Sequence, residues 1–330
     1  MEYLQHFNPI TLYEGVRDGT LADKVDKRIV SALVLYFGAK LAYKALVKPS
    51  CSFFKYFIRP QRNIYQRYGG GWAVITGASS GIGLGYAKTL ARQGFNIFMI
   101  SSNEARLKIA QAQVKLENPD VEVKIMEFNF NRPYTPEDYK PLYDTLDLLS
   151  DIAILVNNVG YGYHSDKVLH LRDDALVTSE FQLNIVPMIY MTKHCLGLML
   201  ERKDKKSAII SISSIASIFF SGSSTMYCCT KAFIVNFMNT LSQAPQYKNI
   251  DILALQTASV ESNMNRGKMP MTVSPEEYSE KSLKHLGYES LAFGHWKHGL
   301  LMHMAYNPIT IPYVIYSMIG VSLGSFFFII

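Results

Sequence analysis

The run Trp72-Ala73-Val74-Ile75-Thr76, followed at once by Gly77-Ala78-Ser79-Ser80-Gly81-Ile82-Gly83, constrains this chain more than any other feature. Five apolar or β-branched residues without alternation read as a short strand buried on both faces of a parallel sheet. Each glycine that follows has its own physical use. Gly77 allows a tight turn, Gly81 lets the backbone approach an anionic group, and Gly83 permits a helix to pack closely on the strand. The helix N-terminus created there favours a diphosphate. Strand, glycine turn and helix in that order predict a dinucleotide site contacted by Gly77, Ser79, Ser80, Gly81, Ile82 and Gly83.

Further strand-like runs at 96–101, 121–127, 152–156, 207–213 and 251–256 alternate with helix-length segments. This alternation predicts an α/β fold of the Rossmann type, a doubly wound parallel sheet with helices on both faces. The triple glycine Gly69-Gly70-Gly71 marks the entry to that domain. The expected division is an N-terminal extension over 1–68, the dinucleotide-binding domain over 69–305, and an apolar C-terminal segment over 306–330.

Both ends are expected to associate with a membrane. Residues 29–47 are mainly apolar, interrupted by Lys40 and Lys44, which lie one turn apart and can reach the headgroups together. The last stretch, 309–330, has no charged residue, and Pro312, Gly320 and Gly324 leave spanning, re-entrant and partner-buried forms open. Apolar residues make up 48% of the chain and charged ones 18%, which fits a surface partly facing lipid. The net charge of +6 is concentrated: from Lys24 to Arg67 there are ten basic residues against the single acid Asp26. Interleaved with apolar residues, that charge fits an anionic lipid face better than nucleic acid, and no nucleic-acid partner is expected. Cys51, Cys195, Cys228 and Cys229 have neither zinc-ligand nor disulfide spacing, so no metal is expected and a reducing compartment is.

Three more elements carry chemistry: Asn157-Asn158-Val159-Gly160 after the fourth strand, Ser213-Ser214 after the fifth, and Tyr227-Cys228-Cys229-Thr230-Lys231. The Tyr-x-x-x-Lys pair alone means little in a chain with 21 tyrosines and 33 Lys and Arg residues. Helical spacing nevertheless places Tyr227 and Lys231 one turn apart on one face, where an ammonium would stabilise a tyrosinate and lower a pKa of about 10. Tyr227 then becomes a usable general acid. Ser214 can donate a hydrogen bond to a substrate carbonyl oxygen on which negative charge develops.

The spacing Thr-Gly-x-x-x-Gly-x-Gly and the order of these elements resemble the short-chain dehydrogenase/reductase family. The resemblance implies a catalytic set of Asn184, Ser214, Tyr227 and Lys231, with Asn184 holding a water that relays protons to Lys231. It implies NADP(H), with NAD(H) as the weaker alternative, contacted also by Ser102, Arg106, Asn129, Asn157, Tyr227 and Lys231. Within the family the chain is most similar to membrane-bound 3-ketoacyl-CoA reductases of fatty-acid elongation and their hydroxysteroid dehydrogenase relatives, from about Gly71 to about Met304. Gly71 to Gly77, Ile154 to Gly160, Ser274-Pro275-Glu276, Lys281-Ser282, Gly294 and His298 carry that similarity. It implies a lipid-type carbonyl substrate and the endoplasmic reticulum membrane, with a mitochondrial membrane as the alternative. A second copy of the chain or the subunits of a membrane complex are the protein partners considered.

Three positions depart from the family pattern. Thr257-Ala258 stands where the family has Pro-Gly after the sixth strand. Ser102 replaces the basic residue that grips the 2′-phosphate of NADP, leaving Arg106 as its substitute, and Asn129 replaces an acid at the adenine. These departures keep a second class open: a retired reductase fold serving as a structural subunit of a membrane complex. His164 is assigned no role, Cys228 and Cys229 are read as apolar fillers, and Met264, Met269 and Met271 as ordinary packing.

Overall fold

In the computed structural model the unalternating run at 72–76 becomes the centre of a seven-stranded, wholly parallel sheet. β1 (Trp72–Thr76) pairs on one side with β2 (Asn96–Ser101) and on the other with β4 (Ile152–Asn157). With β3 (Val123–Glu127), β5 (Ser207–Ser214), β6 (Ile250–Thr257) and the short β7 (Leu291–Ala292), the order is β3-β2-β1-β4-β5-β6-β7. The structure describes residues 27–132, 135–162, 168–219, 221–262 and 271–305.

Two units divide the chain, one ending at Arg59 and the other starting at Pro60. In the first, α1 (Lys27–Ala42) runs through a wide π turn (Tyr43–Val47) into α2 (Lys48–Phe53) and a second π turn (Phe54–Ile58). The expected single helix over 29–47 is therefore a regular α-helix only as far as Ala42. Leu33, Val34, Leu35, Phe37, Phe53, Phe54 and Phe57 are all exposed along this unit. Among the described residues, only Asp174–Leu200 is long and apolar enough to cross a membrane, and half of its most apolar stretch is buried within the protein. The expected C-terminal segment, residues 306–330, lies outside the described residues.

The second unit begins earlier than the glycine triplet indicates. A short helix, α3 (Ile64–Tyr68), precedes β1, and Ile64 and Tyr68 are fully buried in the core. Alternation along β1 then sorts the two faces of the sheet, because successive side chains point to opposite sides. Ala73 and Ile75 join one apolar layer with Tyr86 and Leu90 of α4 (Gly81–Arg92), Leu107 and Val114 of α5 (Glu104–Glu117), and Tyr278 and Leu283 of α9 (Pro275–Leu283). Trp72 and Val74 join the other layer with Leu142 and Leu146 of α6 (Lys140–Asp147), Met188, Met191 and Cys195 of α7 (Asp174–Leu200), and Ile234 and Met238 of α8 (Thr225–Ser242). The last described helix is α10 (Trp296–Ala305). The order in which strands are added reverses between β1 and β4, and in such sheets ligands bind in the crevice beyond the strand ends at this switch point.

Candidate active site

The turn after β1 has the geometry that its glycines require. Gly77 and Gly81 have φ of 65° and 55°, in the left-handed region that side chains disfavour. Gly77 N–H donates to Ile100 O at 2.7 Å, which ties the turn to the end of β2. Gly83 is required by close approach, since a Cβ there would lie 2.4 Å from Gly77 O. The Ser80 side chain makes no capping hydrogen bond at the start of α4, and that helix end fits an anion.

Asn158, to which the sequence reading gave no site role, secures this turn. Its Nδ2 donates to Thr76 O at 3.0 Å and Gly77 O at 3.2 Å, while the Thr76 hydroxyl accepts from the N–H groups of Asn158 and Val159. Asn157 behaves otherwise than expected. Its Nδ2 donates to Thr192 of α7 and Ser211 of β5 at 2.9 and 3.2 Å, and the residue is buried between sheet and helix. Its Nδ2 therefore ties β4 to α7 and β5. Strand alternation is the reason: adjacent asparagines at a strand end face opposite ways, one inward and one toward the turn.

At the outer end of β2, Ser79 and Ser101 share a hydrogen bond of 2.9 Å. Ser102 and Arg106 are both exposed, with the Arg106 N–H capped by Asn103 at 2.8 Å and its guanidinium in no ion pair among the described residues. Asn129 is also exposed, and its Oδ1 already accepts from the Asn131 N–H at 2.9 Å, which leaves one lone pair of that oxygen for an adenine amine.

The catalytic candidates converge beyond the ends of β4 and β5. Ser214, the last residue of β5, lies opposite Thr257 of β6, accepts from the Ala216 N–H, and is near enough to Tyr227 to lower its pKa. Lys231 follows one turn after Tyr227 on α8, its Nζ 5.5 Å from the Tyr227 ring centre and donating to Ile212 O at 3.1 Å. Ser213 donates to Lys231 O at 2.7 Å and binds α8 to the strand. Asn184, 1% exposed, accepts from the Tyr161 N–H at 2.7 Å and donates to Tyr161 O at 2.8 Å and Thr230 Oγ1 at 3.0 Å. It thereby clamps the loop after β4 onto α8. Gly160 sits between these groups, because a Cβ there would lie 3.0 Å from Asn184 Oδ1 and 3.3 Å from Lys231 Nζ. Gly162 similarly leaves room for the Tyr227 ring, which would be 3.0 Å from its Cβ. The short spacing Gly160-x-Gly162 was the available signal for this second glycine.

Electrostatics differ from the helical-pair expectation. Burial raises the Tyr227 pKa, nearby Ser214 pulls it back in part, and the Glu180 charge adds a smaller upward push. Burial also lowers Lys231 to about 8. Desolvation thus outweighs the attraction between ammonium and phenolate in the protein alone, and the phenol is a neutral proton donor at neutral pH. Glu180 is itself fully buried, with Arg172 Nη1 2.9 Å from its carboxylate. His164, Met264 and Met269 lie outside the described residues. Among the described residues no group of three or more His, Cys, Asp and Glu side chains could hold a metal.

Comparison with known proteins agrees with this geometry. Residues 71–272 match the family model described as short chain dehydrogenase. A very-long-chain 3-oxoacyl-CoA reductase of Caenorhabditis briggsae is 28% identical over 270 residues, covering 81% of this chain and 84% of its own. A Caenorhabditis elegans chain bearing a steroid dehydrogenase name is 32% identical over 229 residues, 68% of this chain and 86% of that one. Among solved structures, a short-chain dehydrogenase from Sphingobium yanoikuyae in complex with NADPH superposes with a TM-score of 0.58 at 22% identity, over 65% of this chain and 84% of that one. With the sheet order, the glycine turn and the Ser214, Tyr227 and Lys231 arrangement in place, this chain belongs to the short-chain dehydrogenase family.

Proposed function

We propose that the protein is an NADPH-dependent reductase of a carbonyl on a lipid-type substrate, a 3-ketoacyl-CoA or a ketosteroid. One observation carries the reading: on α8 the buried Lys231 Nζ lies 5.5 Å from the Tyr227 ring centre, and Ser214 at the end of β5 is close enough to Tyr227 to draw its pKa down. When bound, the reduced nicotinamide supplies a hydride to the carbonyl carbon. Ser214 then holds the carbonyl oxygen, and Tyr227 delivers its proton to that oxygen as the alcohol forms. Lys231, close to its titration range, would return the proton to Tyr227, and Asn184, whose Oδ1 lies beside the same glycine as Lys231 Nζ, would hold a water on that path. The glycine turn from Gly77 to Gly83, with Ser79, Ser80 and Ile82, fits the diphosphate, and Arg106 near Ser102 fits a 2′-phosphate without an opposing acid.

The names of the relatives support an acyl-CoA or steroid substrate. The apolar side chains exposed along residues 27–58 support association with a membrane, taken here as that of the endoplasmic reticulum; the relatives lend nothing to a mitochondrial one. We place the domain limits at an N-terminal extension over 1–59, a reductase domain over 60–305 that takes in α3, and an apolar tail over 306–330. A retired, purely structural fold draws no support from a site whose proton-transfer groups are all assembled.

Tyr227→Phe tests the assignment. It removes the proton donor and should lower kcat on a 3-ketoacyl-CoA by at least ~10²-fold, with NADPH affinity nearly unchanged. Wild-type turnover in that variant would overturn the mechanism.

A further inference from the structure

The loop after β6 lacks the Pro-Gly that shapes the nicotinamide side in the family, yet it is held at three consecutive residues from beneath. Thr257 Oγ1 shares a hydrogen bond of 2.6 Å with the Tyr278 hydroxyl of α9. Ala258 N–H donates to Nδ1 of His298 on α10 at 3.3 Å, and Nε2 of the same ring meets Ser259 O at 3.1 Å. We infer that His298 is a positioning residue for the cofactor site, a two-sided clamp on the Ala258 and Ser259 backbone. The inference rests on the reductase reading and adds to it the residue that sets the roof of the cofactor crevice.

A ring that accepts at Nδ1 and donates at Nε2 is neutral, with its proton on Nε2. His298 is 0% exposed, and burial lowers its pKa to about 4, so this form persists across the working range. The surroundings fix the ring. Tyr278 lies 5.4 Å from it centre to centre and His295 5.7 Å, and His295 is itself bonded to Glu277 at 3.0 Å. Gly294, at φ 76°, leaves the space that Tyr278 occupies, since a Cβ there would fall 2.6 Å from the Tyr278 hydroxyl oxygen.

The clamped backbone leads directly to the cofactor turn. Ser259 Oγ pairs with Thr272 Oγ1 at 2.6 Å, Val260 bridges to Val273, and Glu261 N–H donates to Val273 O at 3.0 Å. Ser262 follows, with its Cβ 3.2 Å from where a Cβ on Gly81 would stand. Chain leaving β6 thus crosses to the glycine turn within five residues. Proline would hold such a loop by its fixed φ. Here side-chain hydrogen bonds from α9 and α10 hold it instead.

The test uses the full-length protein in detergent, with NADPH titration by fluorescence, steady-state kinetics and thermal melts. His298→Phe keeps an aromatic ring, somewhat larger, and loses both hydrogen bonds, and should raise the Kd and KM for NADPH about tenfold with kcat for the carbonyl substrate also reduced. His298→Asn keeps an acceptor near the Nδ1 position and should recover part of that loss. Tyr278→Phe removes only the hydroxyl facing Thr257 and should raise KM for NADPH about threefold, which keeps the inference testable should His298→Phe fail to fold. Unchanged NADPH constants in His298→Asn and Tyr278→Phe, or a lowered melting temperature in His298→Phe with wild-type kinetic constants, would overturn the clamp alone. Absence of saturable NADPH binding by the wild-type chain would overturn the reductase reading together with it.

Discussion

Gly83 and Gly85 both face inward from α4, and alanine at each should separate the cofactor turn from ordinary helix packing. At Gly83 the added methyl would stand 2.4 Å from Gly77 O and 2.6 Å from Asn158 Nδ2, where ordinary contact begins at 3.4 Å, so backbone must move by about 1 Å. At Gly85 it would stand 2.5 Å from Pro275 O, at the start of α9. Overpacking of this kind costs about 1–3 kcal/mol. Replacing a helical glycine by alanine returns roughly 0.5–1 kcal/mol, so the net loss is about 0–2.5 kcal/mol in either variant. For a domain of this size that is a fall in Tm of up to roughly 10 °C. Cofactor affinity should divide the two. Gly83→Ala displaces the turn that meets the diphosphate and should weaken NADPH binding at least ~10-fold, since a shift of about 1 Å at such a site can cost up to ~100-fold. Gly85→Ala should leave binding within about twofold, as its clash lies on the α9 side. Calorimetric melts and NADPH titration of both variants measure this. Wild-type binding by Gly83→Ala, or equal losses of binding in the two, would refute the argument.

Arg106→Glu should lower NADPH affinity several-fold while changing NADH affinity little, read by titrating both cofactors; an unchanged ratio would remove Arg106 from the 2′-phosphate site. Lys231, whose pKa falls from 10.5 to about 8 on folding, binds fewer protons in the folded than in the unfolded state between those values. Cofactor-free protein should therefore gain stability as pH rises from about 8 toward 10.5, on the order of 3 kcal/mol from this group, and Lys231→Met should flatten that part of the curve in denaturant titrations. Full-length protein should stay with membranes washed in alkaline carbonate, whereas a chain limited to residues 60–305 should be largely released. Complete release of the full-length chain would assign the exposed apolar residues of 27–58 to a protein partner.

The sequence by itself determined the parts of this protein that depend on neighbouring residues. A buried strand, a glycine turn and a helix start lie within a dozen positions at Trp72 to Gly83, and their conformations follow from side-chain size, φ freedom and periodicity. Tyr227 and Lys231 are likewise joined by helical spacing, and the order of the motifs was enough to propose a catalytic set. What required the tertiary structure was everything governed by burial and by distant partners. Asn157 and Asn158 are indistinguishable in sequence, yet only Asn158 reaches the turn, because alternation at the end of β4 points one toward β1 and the other toward α7. The spacing of Tyr227 and Lys231 predicted mutual stabilisation, but desolvation shifts both the other way, and desolvation exists only once β5 and α8 enclose them. Asp174–Leu200 has the length and apolarity of a spanning segment, and only packing against the sheet makes it a core helix. Thr257-Ala258 reads as a lost motif until α10 brings His298 beneath it, forty residues further along the chain to Ala258. Local geometry is written in short stretches of chain, whereas solvent exclusion and such long-range hydrogen bonds are properties of the closed fold.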